Sequence, residues 1–138
     1  MSDSPLDLLD LLAETADDDC GALVVFGGTV RRDDGVRRID YSAYLPLAIR
    51  VLQEIEAEVC ARFEVARCRI VHRIGAVALG ELSVIVVVRA PHRGEAFRGA
   101  QYAIDELKQR LPVWKEEQLA GAASRFVAGV PLAVGEVS

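Results

Sequence analysis

The run Ser83–Val88, SVIVVV, carries no charge and is rich in β-branched side chains. It has no polar face to turn toward water, so it predicts a central strand that other elements must cover. The run delivers the chain into Pro91-His92-Arg93-Gly94 and then into apolar residues at helical spacing, Phe97, Ala100, Ile104, Leu107 and Leu111. A buried strand, a tight turn and an amphipathic helix thus form the unit around which the remaining chain is arranged. Pro112 disfavours helical geometry at Leu111 and cannot donate a backbone hydrogen bond, so the helix is expected to end near Arg110. Lys108 and Lys115 flank that break. With Lys115 on the turn after the helix, the two ammonium groups converge on one site from two short segments.

The earlier part of the chain supplies the covering elements. Ser4-Pro5-Leu6-Asp7 reads as a helix start, with serine as cap and proline at the first helical position, opening a short amphipathic helix to about Thr15. Residues 21–30 read as a strand whose Ala22–Phe26 portion is apolar throughout and expected to be buried on both faces, loosened afterwards by Gly27-Gly28. Arg31-Arg32-Asp33-Asp34-Gly35 is a charged turn into a second strand, Val36–Tyr44. Arg31 and Arg32 read either as the exposed tip of a hairpin or as cations of a site. Pro46 opens a helix with Leu47, Val51, Leu52, Ile55 and Val59 on one face. Residues 68–74 alternate, with Cys68, Ile70, His72 and Ile74 to one side. His72 there reads as a hydrogen-bonded core histidine before it reads as a ligand. Gly75 and Gly80 bracket a turn. Beyond Glu117 come a loop at 120–124, a short strand at Arg125-Phe126-Val127 and a loose tail from 131. The order is helix, two strands, helix, two strands, helix, strand, without repeat or linker. That predicts one α+β domain over residues 1–138, two-layered, with a mostly antiparallel sheet.

Composition removes several classes of function. A net charge of −5 argues against a general nucleic-acid binder. Cys20, Cys60 and Cys68 are odd in number and lack CxxC spacing, which fits a reducing cytoplasm better than a disulfide scaffold or a zinc site. Asp17-Asp18-Asp19 reads as a solvated turn, because three adjacent carboxylates cannot all face one ion. Neither metal nor cofactor is expected. The N-terminal residues lack a basic region, and Asp7 and Asp10 interrupt Leu6–Leu12, so a signal peptide is not expected. No apolar run approaches the ~18 residues of a membrane span.

What stands out is a set of cations: Arg31 after the first strand, His92 and Arg93 at the strand-to-helix turn, Lys108 and Lys115 at the helix exit. Gathered in one pocket they would hold an anion, and a lysine among other cations gives up its proton more easily and serves as acid or base. The bland alternative is a set of surface charges with apolar stems packed beneath them.

FGGTVR, AYLPLA, VHRIGAVALGE, APHRGEAF and ELKQRLPVWKEE occur in this order over residues 21–127. Together they resemble the large, catalytic subunit of molybdopterin synthase. The resemblance implies an α/β-hammerhead fold, a homodimer, and a small ubiquitin-like sulfur-carrier subunit at each end. The carrier's C-terminal Gly-Gly thiocarboxylate would enter a pocket and give sulfur to cyclic pyranopterin monophosphate, building the dithiolene of molybdopterin. Carried over by position, the family's essential lysines are Lys108 and Lys115, and its pterin and phosphate contacts are Phe26, Arg31, His92 and Arg93. Lys108 would polarise the thiocarboxylate and shuttle protons, and Lys115 would anchor substrate and stabilise charge. Two positions depart from the family. Phe126-Val127 is followed by Ala128-Gly129-Val130, where relatives often carry an arginine that reaches across the dimer, and Ser42 stands where an acidic residue is usual. The competing class is a non-catalytic module that docks a ubiquitin-like tail or a pterin; retention of both lysines favours the enzyme.

Overall fold

The computed structural model describes residues 1–33, 35–119 and, for the backbone only, 124–127. The elements in order are α1 (Leu8–Glu14), β1 (Ala22–Thr29), β2 (Val36–Ala43), α2 (Leu45–Phe63), β3 (Arg67–His72), β4 (Gly75–Ala78), β5 (Leu82–Ala90), α3 (Arg93–Arg110), β6 (Val113–Leu119) and β7 (Ser124–Val127). They form an α+β fold whose strand pairs are antiparallel, in two sheets ordered β1-β5-β3 and β4-β2-β6-β7.

Strand β5 is central, as its composition predicts, and the reason is visible on both of its faces. Val86 and Val88 lie in the main core with α2 and α3, while Ile85 and Val87 lie in a second cluster with Leu11 of α1. Helices on both faces cover the four residues 85–88, which are all apolar.

Its neighbour β1 differs from expectation. Ala22, Val24 and Phe26 pack toward the main core, but Leu23 and Val25 are 43% and 39% exposed. Strand β1 is an edge strand, and α1 shields only the β5 side of that face, so the apolar run is buried on one face and not on two. Nor do β1 and β2 form a hairpin. They belong to different sheets, and Gly35, just before β2, has φ +80°.

Three further local differences have physical causes. Asp7, not Ser4, caps α1, accepting a hydrogen bond from the Asp10 amide at 3.3 Å. Ser2 is instead tied to the edge of β3, its amide donating to the His72 carbonyl and its carbonyl accepting from Ile74, so the segment at Ser4 runs extended into the helix. Gly75 and Gly80, both at positive φ, flank β4 and the turn that follows it, where a turn alone was expected. Lys115 sits on strand β6 rather than on a turn: α3 ends at Arg110 as predicted, the chain straightens through Pro112, and β6 then pairs along β2. The short strand expected at 125–127 is β7. The expected loop at 120–123 and the tail from 131 lie outside the described residues.

The helices α2 and α3 are held together in two ways. Near the middle of α3, Gly99 lets the helices close: a Cβ there would stand 2.9 Å from Val65 and 3.0 Å from Val59. At its end, Arg110 grips the Glu58 carboxylate with both terminal nitrogens, at 2.7 and 3.0 Å, and Tyr102 donates to the same carboxylate at 2.6 Å. Phe97, expected on the buried stripe, is 62% exposed; Ala96, Gly99, Ala100, Ala103 and Leu107 form the buried face.

Glycine to alanine normally strengthens a helix interior by about 1 kcal/mol. Gly99→Ala is expected to do the reverse and lower the unfolding free energy by about 1–3 kcal/mol, as overpacking does. Urea denaturation checks this; an alanine variant as stable as the parent would contradict the close approach.

Candidate active site

Lys115 is on the inward face of the second sheet. Its direct cross-strand partner on β2 is Tyr41, which is buried, and Glu117 follows two residues later on the same face. The Tyr41 ring meets the ring of His72 edge-on, with centroids 5.0 Å apart and an interplanar angle of 76°. His72 ends β3 opposite Val84 and is 8% exposed. Its Nδ1 lies 2.7 Å from the Arg73 carbonyl. A carbonyl only accepts, so Nδ1 carries the proton and Nε2 the lone pair.

The electrostatics follow from burial. Burial lowers the pKa of the Lys115 ammonium from the usual lysine value; Glu117 works against that and the Lys108 charge works with it. Burial likewise pushes His72 down to about 4, partly offset by its hydrogen bond to Arg73, with Lys115 and the N-terminal ammonium pushing further down. His72 is therefore neutral at physiological pH. The Tyr41 hydroxyl is raised by burial, against a hydrogen bond with Ser83.

Lys108 reaches the same region from the last turn of α3, where it is exposed. Helix α3 turns back from the end of β5 and packs along it, Gly99 beside Val88. Counting roughly 1.5 Å per residue along the helix and roughly 3.3 Å along the strand brings Lys108 level with Ser83 and Val84. Val84 pairs with both Gly28 and His72. Arg31 leaves β1 at this end too, just after Val30 donates to the Glu81 carbonyl. Its guanidinium is 83% exposed and pairs with Asp33 at 2.6 Å, a solvated contact worth at most about 1 kcal/mol that an arriving anion can replace. Phe26 is half-buried on the helix-facing side of β1.

His92 and Arg93 stand at the other end. His92 is the N-cap of α3, without a side-chain cap bond, and both are exposed beside Gly21, Leu23, Pro91 and Phe97 in a shallow groove. Arg93 and Lys108 stand near opposite ends of the 18-residue α3, about 22 Å apart along its axis. One protomer therefore does not gather the five cations that the sequence suggests for a single pocket. It brings Lys108 and Lys115 together, leaves Arg31 at the same end of the sheet, and holds His92 and Arg93 apart. Tyr41, His72 and Glu117 border the lysines and were not among the expected site residues. His72 has the burial and hydrogen bond of the core histidine expected from sequence, but its ring contact with Tyr41 of the other sheet also brings it into the electrostatic reach of Lys115.

Residues 1–110 match the protein family described as MoaE protein. The chain belongs to the MoaE family. It is similar to the molybdopterin synthase catalytic subunit of Nostoc sp., 41% identical over 129 residues that cover 91% of this chain and 78% of that protein. The Bacillus subtilis molybdopterin synthase catalytic subunit is 38% identical over 117 residues, covering 83% and 74%. Among solved structures, molybdopterin synthase from Staphylococcus aureus superimposes with a TM-score of 0.85 at 33% identity, covering 91% of this chain and 93% of that one. The resemblance carried by the five motifs is borne out. In this MoaE-family chain Lys108 and Lys115 are also the only two lysines; every other basic side chain of that class is arginine. Among the described residues, no helix is long and apolar enough to cross a membrane.

The buried histidine gives the fold a pH dependence. His72 titrates near 4 when folded against 6.5 when exposed, so between these values the unfolded chain takes up a proton that the folded chain refuses. The stability due to neutral His72 is complete above the unfolded value and is lost as pH falls toward 4, on the order of 3 kcal/mol. Glu58, drawn down to about 2 by its bonds from Arg110 and Tyr102, stabilises above its ordinary range and loses that contribution only at lower pH. Urea midpoints are expected to fall on acidification from neutral to about pH 4.5, and to fall much less in His72→Asn. Equal slopes for the two proteins would rule out His72 as the source.

Proposed function

We propose that the chain is the catalytic subunit of a molybdopterin synthase, a cytoplasmic sulfurtransferase. It moves sulfur from the C-terminal thiocarboxylate of a small ubiquitin-like carrier to cyclic pyranopterin monophosphate, forming the dithiolene of molybdopterin in two transfers. The observation that carries this reading is that the chain's two lysines, one exposed on α3 and one half-buried on β6, lie close enough for the charge of one to act on the other. Both the cyclic phosphate and the thiocarboxylate are anions, and sulfur transfer develops further negative charge on oxygen. Fixed cations in a partly dry site stabilise such charge.

The two lysines differ in burial, Lys115 half-buried and Lys108 exposed, and we divide their work on that difference. Lys115 is the desolvated one, so its neutral amine is reached at lower pH than is usual for lysine. We assign proton exchange to Lys115 and polarisation of the thiocarboxylate to Lys108, whose helical turn is anchored by Arg110 and Glu58. Arg31 would meet the phosphate and Phe26 the pterin ring. Arginine keeps its charge at all working pH. Lys115→Arg is therefore expected to lose about 100-fold or more in single-turnover molybdopterin formation with preformed thiocarboxylated carrier. Lys108→Ala is expected to lose a similar factor through a missing cation. A near-normal rate for Lys115→Arg would remove it from proton transfer. No product from the parent chain under the same conditions would leave a carrier- or pterin-binding module.

His92 and Arg93 can serve the lysines only from a second copy, and this supports a homodimer with composite sites. The exposed apolar Leu23 and Phe97 beside the same groove fit such a contact. Complementation tests it. Lys108→Ala and Arg93→Ala chains, each inactive alone, should on mixing and exchange recover about a quarter of the parent activity, since half the dimers then hold one intact site of two. No recovery despite demonstrated subunit exchange would sink the composite site.

A further inference from the structure

His72 is a buried ionisable group that the chemistry above does not use, and such groups in clefts are candidates for a task. Its position is over-determined. The Arg73 carbonyl fixes the ring tautomer and orientation at 2.7 Å, and the edge contact with Tyr41 fixes its far side. Tyr41 is in turn the direct partner of Lys115 across the β2–β6 ladder, and directly opposed side chains on one face are in contact range. Among the described residues, the titratable groups near Lys115 are Tyr41 from β2, His72 from β3, Lys108 from α3 and Glu117 from its own strand. Of these only Glu117 favours the charged amine.

We propose that His72 is a positioning residue for Lys115: locked as the neutral Nδ1–H tautomer, its ring completes with Tyr41 a dry wall that keeps water and a further positive charge from the Lys115 amine. The inference rests on the reading of Lys115 as the proton-exchanging lysine and names what sets its behaviour. Tyr41 links the two, paired with Lys115 across the ladder and in edge contact with the His72 ring, and burial lowers the pKa of both groups. The locked tautomer matters because a protonated imidazole here would repel the ammonium beside it. His72 touches neither carrier nor substrate in this scheme and acts through Lys115 alone.

The test exploits the scarcity of lysine. Lysine-selective isotope labelling of the full chain yields two side-chain signals, and Lys108→Arg identifies which is Lys115. In the parent, the Lys115 signal should titrate below the ordinary lysine range. His72→Asn keeps a side-chain N–H for the Arg73 carbonyl but removes the ring and admits water, so the Lys115 midpoint should move up toward the ordinary value. His72→Phe keeps a ring against Tyr41, and the midpoint should stay low. In turnover, His72→Asn should displace the pH–rate profile to higher pH, with the loss at neutral pH recovered on raising pH; a merely structural role would scale the whole profile without moving it. A Lys115 midpoint unchanged in folded His72→Asn overturns the proposal. The titration needs no substrate. Absence of molybdopterin formation by the parent would therefore count against the functional reading alone, while an active parent with an unmoved midpoint would count against the wall alone.

Discussion

The packing of β5 between two helical layers is the contact on which the rest depends. Val86 and Val88 on one face and Ile85 and Val87 on the other are almost wholly buried, each contributing about 1.5–3 kcal/mol through removal of its side chain from water. A strand apolar on both sides has to be covered twice, which gives even the seven-residue α1 a structural duty. The covering also sets direction. Helix α3 leaves β5 by a short turn and must lie back along the sheet, so its first residue and its last turn are delivered to opposite ends. The separation of Arg93 from Lys108 is thus a consequence of how the central strand is buried.

Much of this was legible because it is local. The strand at 83–88, the stripe of α2 and the end of α3 before Pro112 each follow from periodicity or from one residue's stereochemistry. Strand β6 was not legible. Its sequence VWKEEQL turns Lys115 and Glu117 toward the inside, and a strand with charges on its inner face breaks the alternation by which strands are recognised. Such breaks concentrate where function has overruled packing. The one-sided exposure of β1 and the assignment of β1 and β2 to different sheets depend on which strands are neighbours, and no local window holds that information. Lys108 and Lys115 were found through motifs, whereas Tyr41 borders Lys115 only through the β2–β6 register, and His72 only because its ring packs on Tyr41 from the other sheet.

The site therefore combines two unlike supports. Lys115 is set by a β ladder and a pair of rings, in surroundings that shed water. Lys108 is set by a helix end, exposed, with the Arg110–Glu58 contact behind it. The first arrangement adjusts the readiness of a group to part with a proton; the second leaves a side chain open where a partner's tail can approach. Dividing the tasks between a half-buried and an open lysine avoids the compromise of asking one side chain to do both.

The Arg110 grip on Glu58 has a consequence for how this chain can vary. Helix α3 is fixed near its middle by the close approach at Gly99 and at its end by that guanidinium. A single inserted or deleted residue between them would turn everything beyond it by about 100° and slide it by about 1.5 Å. Arg110 would then face away from Glu58, and Lys108 would swing round the helix and away from β6. Loops elsewhere can lengthen or shorten without such an effect, but this half of α3 can drift only by substitution, and its length is expected to be invariant wherever the two-lysine site is kept.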